Sequence, residues 1–260
     1  MSPTLAEILD RLYGRFHRPE FIHPDPLEKV REAAVEDREI AGLVASALAL
    51  GRVESILGAV GRVLARLASP REAVVALSRE ELGRLFADFR YRFVSGEQLA
   101  AFLFAAGECI RRYGTIEECF LAGMNRRDES VLPALSRFVA VLTSLAGRDL
   151  GILLSDPEKR SACKRLHLYL RWMVRRDEID PGGWSLPRRL LLVPVDVHML
   201  RVSRILGLTA RRQADQSASL EITGALRRLC PEDPVKYDFS ITRLGIHPDL
   251  TYDDLIEKRS

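Results

Sequence analysis

The sequence predicts an all-α protein, and three observations carry that prediction. Apolar residues recur at helical spacing over long windows, most clearly in "EDREIAGLVASALALGRVESILGAVGRVLARL" at 36–67. A Ser or Thr followed three residues later by Glu, Gln or Asp recurs at Ser78, Ser95, Thr115 and Thr251. That spacing is a helix-start pattern, in which a side-chain oxygen and a downstream acid or amide satisfy the first free N–H groups. No window alternates apolar and polar residues between hairpin turns, as a half-buried sheet requires.

The N-terminal "MSPTLAEILDRLYGRF" is amphipathic and charged throughout, without the unbroken apolar stretch of a secretory leader. No apolar run approaches the length needed to cross a bilayer. A cytoplasmic protein with no membrane partner is expected. Residues 36–67 read as two consecutive helices with a break near Gly51. The first is almost wholly apolar and belongs in the core. A helix begins after Ser78, with Glu81 completing the capping box. Another begins after Ser95 with Gln98 and stops at Gly114. Thr115 with Glu118 and Thr251 with Asp254 repeat the pattern. The apolar "LLLVPV" has the composition of a short strand but no partner strand. Pro, Gly and Asp mark 17–26, 144–151 and 177–187 as loops.

The chain has 260 residues, 47% hydrophobic and 29% charged, which is long enough for one large domain or two small ones. Its four cysteines form no CxxC pair and no His cluster accompanies them, so neither a zinc site nor a disulfide framework is expected. A net charge of +3 says little about partners, and the local distribution says more. Residues 159–176 carry Lys159, Arg160, Lys164, Arg165, Arg171, Arg175 and Arg176, with acids only at the two ends. Such a stripe is compatible with phosphate contacts and equally with a solvated helix face.

In "VPVDVHMLRVSRILGL" an acid, Asp196, stands where an apolar approach becomes an amphipathic pattern. It is either a helix N-cap or a catalytic acid held at a helix start. Lys164 is one of only five lysines among 39 basic residues, so an amine at this place reads as a choice against arginine. A lysine can lose its proton and act as a nucleophile, and a guanidinium cannot.

The segment "VDVHMLRVSRILGL" resembles the aspartate-bearing segment of the helix-hairpin-helix DNA glycosylase superfamily, which includes endonuclease III. Asp196 matches the catalytic acid, and His198, Arg201, Val202 and Arg204 follow in the family positions. Val197 replaces the usual small hydroxyl residue. "DPVKYDFSITRLGI" is similar to the late helix of that fold, and "IAGLVASALALGRVESILGAVGRVL" to its early helix pair. More closely, "FIHPDPLE", "FRYRFVSGEQL", "SACKRLHLYLRWMVRRDEIDPGGW" and "PVDVHMLRVSRILGLT" are similar to a bacterial family catalogued as domain of unknown function 2400.

The glycosylase resemblance implies a two-lobed helical fold with a divergent hairpin. Residues 37–176 would form a bundle ending in the basic helix. Residues 177–187 would be a linker, and 1–36 would pack with 188–260 as a second lobe. The usual "LPGVGxKTA" hairpin is missing, and "KRSACKRLHLYLRWMVRR" stands nearest to it. Its lysine, Lys164, lies 32 positions before Asp196, a separation similar to that in archaeal 8-oxoguanine glycosylases. The implied activity is base-excision repair of an oxidised base such as 8-oxoguanine, with AP-lyase action, on damaged duplex DNA.

In that reading Lys164 is the nucleophile, Asp196 is its acidic partner, and the two face one cleft. Trp172, Tyr237, Asp238 and His198 would hold the extruded base. Arg160, Arg165, Arg171 and Arg201 would contact DNA phosphates. No metal or organic cofactor is implied; only Cys230 lies where relatives carry an iron–sulfur cluster. No obligate protein partner is evident. Two competing readings are a non-catalytic DNA-binding protein on the same fold and an N-glycosidic hydrolase acting on RNA or nucleosides.

Overall fold

In the structure, a computed structural model describing residues 3–246, helix dominates as the periodicity predicts. The helix start expected at Thr251 lies outside the described residues. The chain divides into two compact units. One contains residues 25–158, and the other joins the N-terminal segment through Pro24 to everything from Lys159 onward.

The 25–158 unit is built from α2 (Leu27–Glu32), α3 (Arg38–Ala47), α4 (Val53–Leu67), α5 (Pro70–Ala76), α6 (Arg79–Leu85), α7 (Gly96–Tyr113), α8 (Ile116–Leu121) and α9 (Leu132–Ala146). The 36–67 stretch is two helices broken around Gly51, and every residue of α3 from Ile40 to Ala47 is buried. Ser78 and Ser95 both form complete capping boxes, and α7 ends at Gly114 in the left-handed region (φ 94°).

Helix α7 is central to this unit and packs on α5, α6, α8 and α9. Gly107 permits the approach of α5, because a Cβ there would sit 1.8 Å from the Val74 carbonyl oxygen. Two acids at the start of α3 cap other helices. Asp37 Oδ1 accepts from Arg71 N at 2.7 Å, at the first turn of α5. Glu39 accepts from Ile116 N and Glu117 N at 3.1 and 2.8 Å, at the start of α8. A two-stranded antiparallel hairpin, β1 (Arg90–Tyr91) and β2 (Val94–Ser95), precedes α7. Four residues are too few for an alternation signal, so the sequence reading has no strand there.

The other unit contains α1 (Leu5–Phe16), α10 (Lys164–Val174), α11 (Val197–Ile205), α12 (Gln216–Arg227) and α13 (Asp238–Ile246). Thr4 and Glu7 form a capping box at α1, which packs on α13, as does α11. The division differs from the sequence-based boundaries. Residues 25–36 go with the bundle, where Leu27 and Val30 are buried and α2 packs on α3. Helix α10 goes with the C-terminal unit, because its inward arginines are bound to carboxylates from that unit. The "LLLVPV" segment is no strand; it is irregular, buried chain.

Candidate active site

Asp196 is the N-cap of α11, and its two oxygens do different things. Oδ1 accepts from Met199 N at 2.8 Å, the capping bond that the local sequence predicts. Oδ2 lies 2.9 Å from Lys164 Nζ. Cap and ion-pair partner are therefore compatible roles for one carboxylate. The lysine side chain is 34% exposed and the aspartate 17%, so the acid is the more shielded of the two. Burial pushes the Asp196 carboxyl up. The Lys164 ammonium, the Met199 amide and the nearby His198 outweigh it and hold the group below the usual carboxylate range.

Lys164 is the first residue of α10, and its placement comes from a constrained approach. Arg160 and Cys163 both adopt left-handed conformations (φ 57° and 44°). Ser161 bridges to Asp215, and Gln216 N donates to Arg160 O at 3.2 Å, tying the approach to the start of α12. The approach to Asp196 is held by α12 as well. Val193 N donates to Thr223 Oγ1 at 2.9 Å, and Ser219 Oγ donates to Val193 O at 2.7 Å. Two buried hydroxyls thus do for this strand-like segment what a partner strand would do. Sequence reasoning missed Ser219 and Thr223 as positioning residues. Their signal was an i, i+4 hydroxyl pair within the apolar face of a helix.

The far end of α10 is anchored by a buried ionic network. Arg171 contacts Asp180 Oδ1 at 3.2 Å and also Asp238 Oδ2. Arg175 reaches Asp177, Asp180 and Asp233 at 2.8, 2.5 and 3.0 Å. His17 Nε2 lies 3.1 Å from Asp177 Oδ2. Burial pushes the Asp180 and Asp238 carboxyls up against the pull of the guanidiniums. Asp177, also raised by burial, is brought well below the usual range by His17 and Arg175 and by backbone N–H donors. His167, one turn after Lys164, is buried and held neutral, with its imidazolium pKa lowered to about 4 by desolvation.

This geometry corrects several expected site residues. Arg171 is not open to phosphate, because its guanidinium is 3% exposed and engaged by two carboxylates. Asp238 is buried as its partner, and Trp172 lies in the core. Neither side chain is placed to meet a base from solvent. Tyr237 is buried too, and its hydroxyl donates to Asp10 Oδ1 at 2.8 Å; burial and that bond raise its pKa. Arg160 and Arg201 are exposed and His198 is half-buried beside Asp196. Arg165 is half-buried, and desolvation lowers its guanidinium to about 10, opposed by Cys163. Lys164, Asp196 and His198 thus come together, while Arg171, Trp172, Tyr237 and Asp238 belong to the interior. Among the described residues no group of three or more His, Cys, Asp and Glu side chains could hold a metal ion. None of the described helices is long and apolar enough to cross a membrane.

Fold and site together define a helical protein that presents a partly exposed lysine–aspartate pair at the starts of two helices. The chain belongs to the family described as "Protein of unknown function (DUF2400)", which matches residues 25–247. No curated protein and no solved structure matches the chain.

Proposed function

We propose that the chain is a DNA glycosylase with AP-lyase activity. It would release an oxidised base such as 8-oxoguanine from damaged duplex DNA and then nick the abasic strand. The observation that carries this reading is the 2.9 Å approach of Lys164 Nζ to Asp196 Oδ2, with the lysine side chain only half-buried. The resemblance of "VDVHMLRVSRILGL" to the acid segment of helix-hairpin-helix glycosylases supports the same two roles. Arg160 is exposed, as a phosphate contact requires.

The chemistry balances as follows. Lys164 gives up a proton to water, and the neutral amine attacks the sugar C1′. The C1′–N bond breaks, and the base leaves with the electron pair and takes a proton from solvent. Opening of the sugar ring, with the ring oxygen taking a proton, leaves a Schiff base between Nζ and C1′. Loss of a C2′ proton then expels the 3′ phosphate. Throughout, the ionised Asp196 carboxylate faces the positive charge that develops at C1′. The target base must leave the stack for Nζ to reach C1′.

Borohydride trapping on duplexes carrying single lesions tests the reading. The wild type should give a covalent adduct and release base, and Lys164→Gln should lose both. Asp196→Asn keeps an oxygen to accept from Met199 N, so it should melt normally while turnover falls by about 10²-fold or more. Because the Asp196 carboxyl is held below its ordinary value of about 3.9, activity should not lose this group's charge until the pH falls beneath that value. An Asp196→Asn chain with full activity would return the acid to a capping role. A wild type that binds damaged duplex and releases no base from any lesion would establish the non-catalytic reading instead.

A further inference from the structure

Phe93 is 78% exposed, more than any other large apolar side chain among the described residues. It stands at the tip of the β1–β2 hairpin, whose ladder pairs Arg90 with Ser95 and Tyr91 with Val94 and leaves Arg92 and Phe93 as the two-residue turn. Such turns favour Asn-Gly or a glycine, because at least one residue takes a positive φ. Here Arg92 takes it, at 49°. A bulky residue in that conformation is strained, and strain of this kind collects where the side chains have a use.

The tip is also fixed in place. Tyr91 and Val94 are buried, and Tyr91 OH donates to Leu50 O at 2.6 Å. The Arg92 guanidinium lies over Gly51, where a Cβ would come within 2.1 Å of it. Arg52, Arg90 and Arg92 are all exposed, and the nearby acid Asp88 is already bound to Arg66 at 2.7 and 2.8 Å.

An exposed aromatic ring at a turn, with Arg90 and Arg92 on the same hairpin and Arg52 next to the Gly51 that Arg92 covers, fits a nucleobase between phosphates; Arg90 also donates to Phe89 O at 2.9 Å. A protein interface would need about 800 Å² on each side, far more than one phenylalanine supplies. Stacking on a base needs one ring face, and the cations meet the flanking backbone. We propose that the 90–95 hairpin is a nucleic-acid contact, with Phe93 stacked on an unpaired base and Arg52, Arg90 and Arg92 at phosphates. The inference rests on the reading of nucleic acid as the partner.

The test measures dissociation constants of the full chain carrying Lys164→Gln, so that no turnover intrudes. The probes are a labelled single-stranded oligonucleotide and a duplex with an abasic-site analogue. Phe93→Ala should weaken binding to both about tenfold, with the salt dependence unchanged. Phe93→Tyr should restore it. Arg90→Ser should instead reduce the slope of log affinity against log salt by about 0.7–0.9. Affinity within twofold of the parent after Phe93→Ala overturns the proposal, as does a parent that binds neither probe. So does a Phe93→Ala chain that loses only its affinity for phosphatidylserine vesicles, which would assign the tip to a lipid surface. Phe93-dependent binding by a protein whose wild type traps no adduct would uphold the contact and defeat the enzymatic reading. An adduct without Phe93 dependence would do the reverse.

Discussion

Arg171→Met should unfold the C-terminal unit far more easily, and the cost should depend on pH. The guanidinium is 3% exposed and holds Asp180 and Asp238. Asp180 keeps Arg175 at 2.5 Å when Arg171 is lost. Asp238 has no such reserve, since its Oδ1 already has no hydrogen-bond partner and Oδ2 is the atom that meets Arg171. Methionine fills much of the arginine's volume, so the loss is electrostatic more than a cavity. Breaking a buried ion pair by removing one partner costs about 3–5 kcal/mol. At about 2–4 °C per kcal/mol for a chain of this size, the melting temperature should fall by roughly 6–20 °C.

The pH dependence follows from linkage. Burial already pushes the Asp238 carboxyl up, and losing Arg171 lets it rise further. The folded variant then binds a proton that the unfolded chain, with a value of about 3.9, has released. Stability of the variant therefore falls as pH rises through that window, by at most about 1.4 kcal/mol per pH unit. The deficit relative to wild type should be smaller at pH 5 than at pH 7. Adding Asp238→Leu removes the stranded charge and should recover most of the loss. Urea unfolding followed by circular dichroism at several pH values measures all three chains. A deficit independent of pH, or a double variant no more stable than Arg171→Met, would refute this account of the network.

Two further predictions concern the 25–158 unit. Gly107→Ala would place a Cβ 1.8 Å from the Val74 carbonyl oxygen, so α5 and α7 must separate and about 1–3 kcal/mol should be lost. Gly61→Ala in α4 meets nothing within 4 Å and should gain up to about 1 kcal/mol from helix propensity. Equal unfolding midpoints for the two would show that the close approach is unimportant. Glu39→Gln leaves one acceptor where two backbone amides of α8 now have one each. It should cost about 1–2 kcal/mol and speed amide exchange at Ile116 and Glu117. Unchanged exchange at those two positions would remove Glu39 from the capping of α8.

Interactions that span three or four residues were legible in the sequence. The capping boxes at Ser78 and Ser95, the break near Gly51, the stop at Gly114 and the capping position of Asp196 all appear where the local pattern puts them. The reason is that a helix start satisfies its free N–H groups from its own first turn. Lys164 could be singled out by its amine amid arginines, but its meeting with Asp196 joins positions 32 apart and depends on how two irregular approaches are tied to α12. The basic run at 159–176 was visible as composition, and its inner face was not. Arg171 and Arg175 turn inward because carboxylates from 177–180 and 233–238 converge on them. Burying a guanidinium is tolerable only with such partners, and only the tertiary structure decides which distant acids arrive beside it.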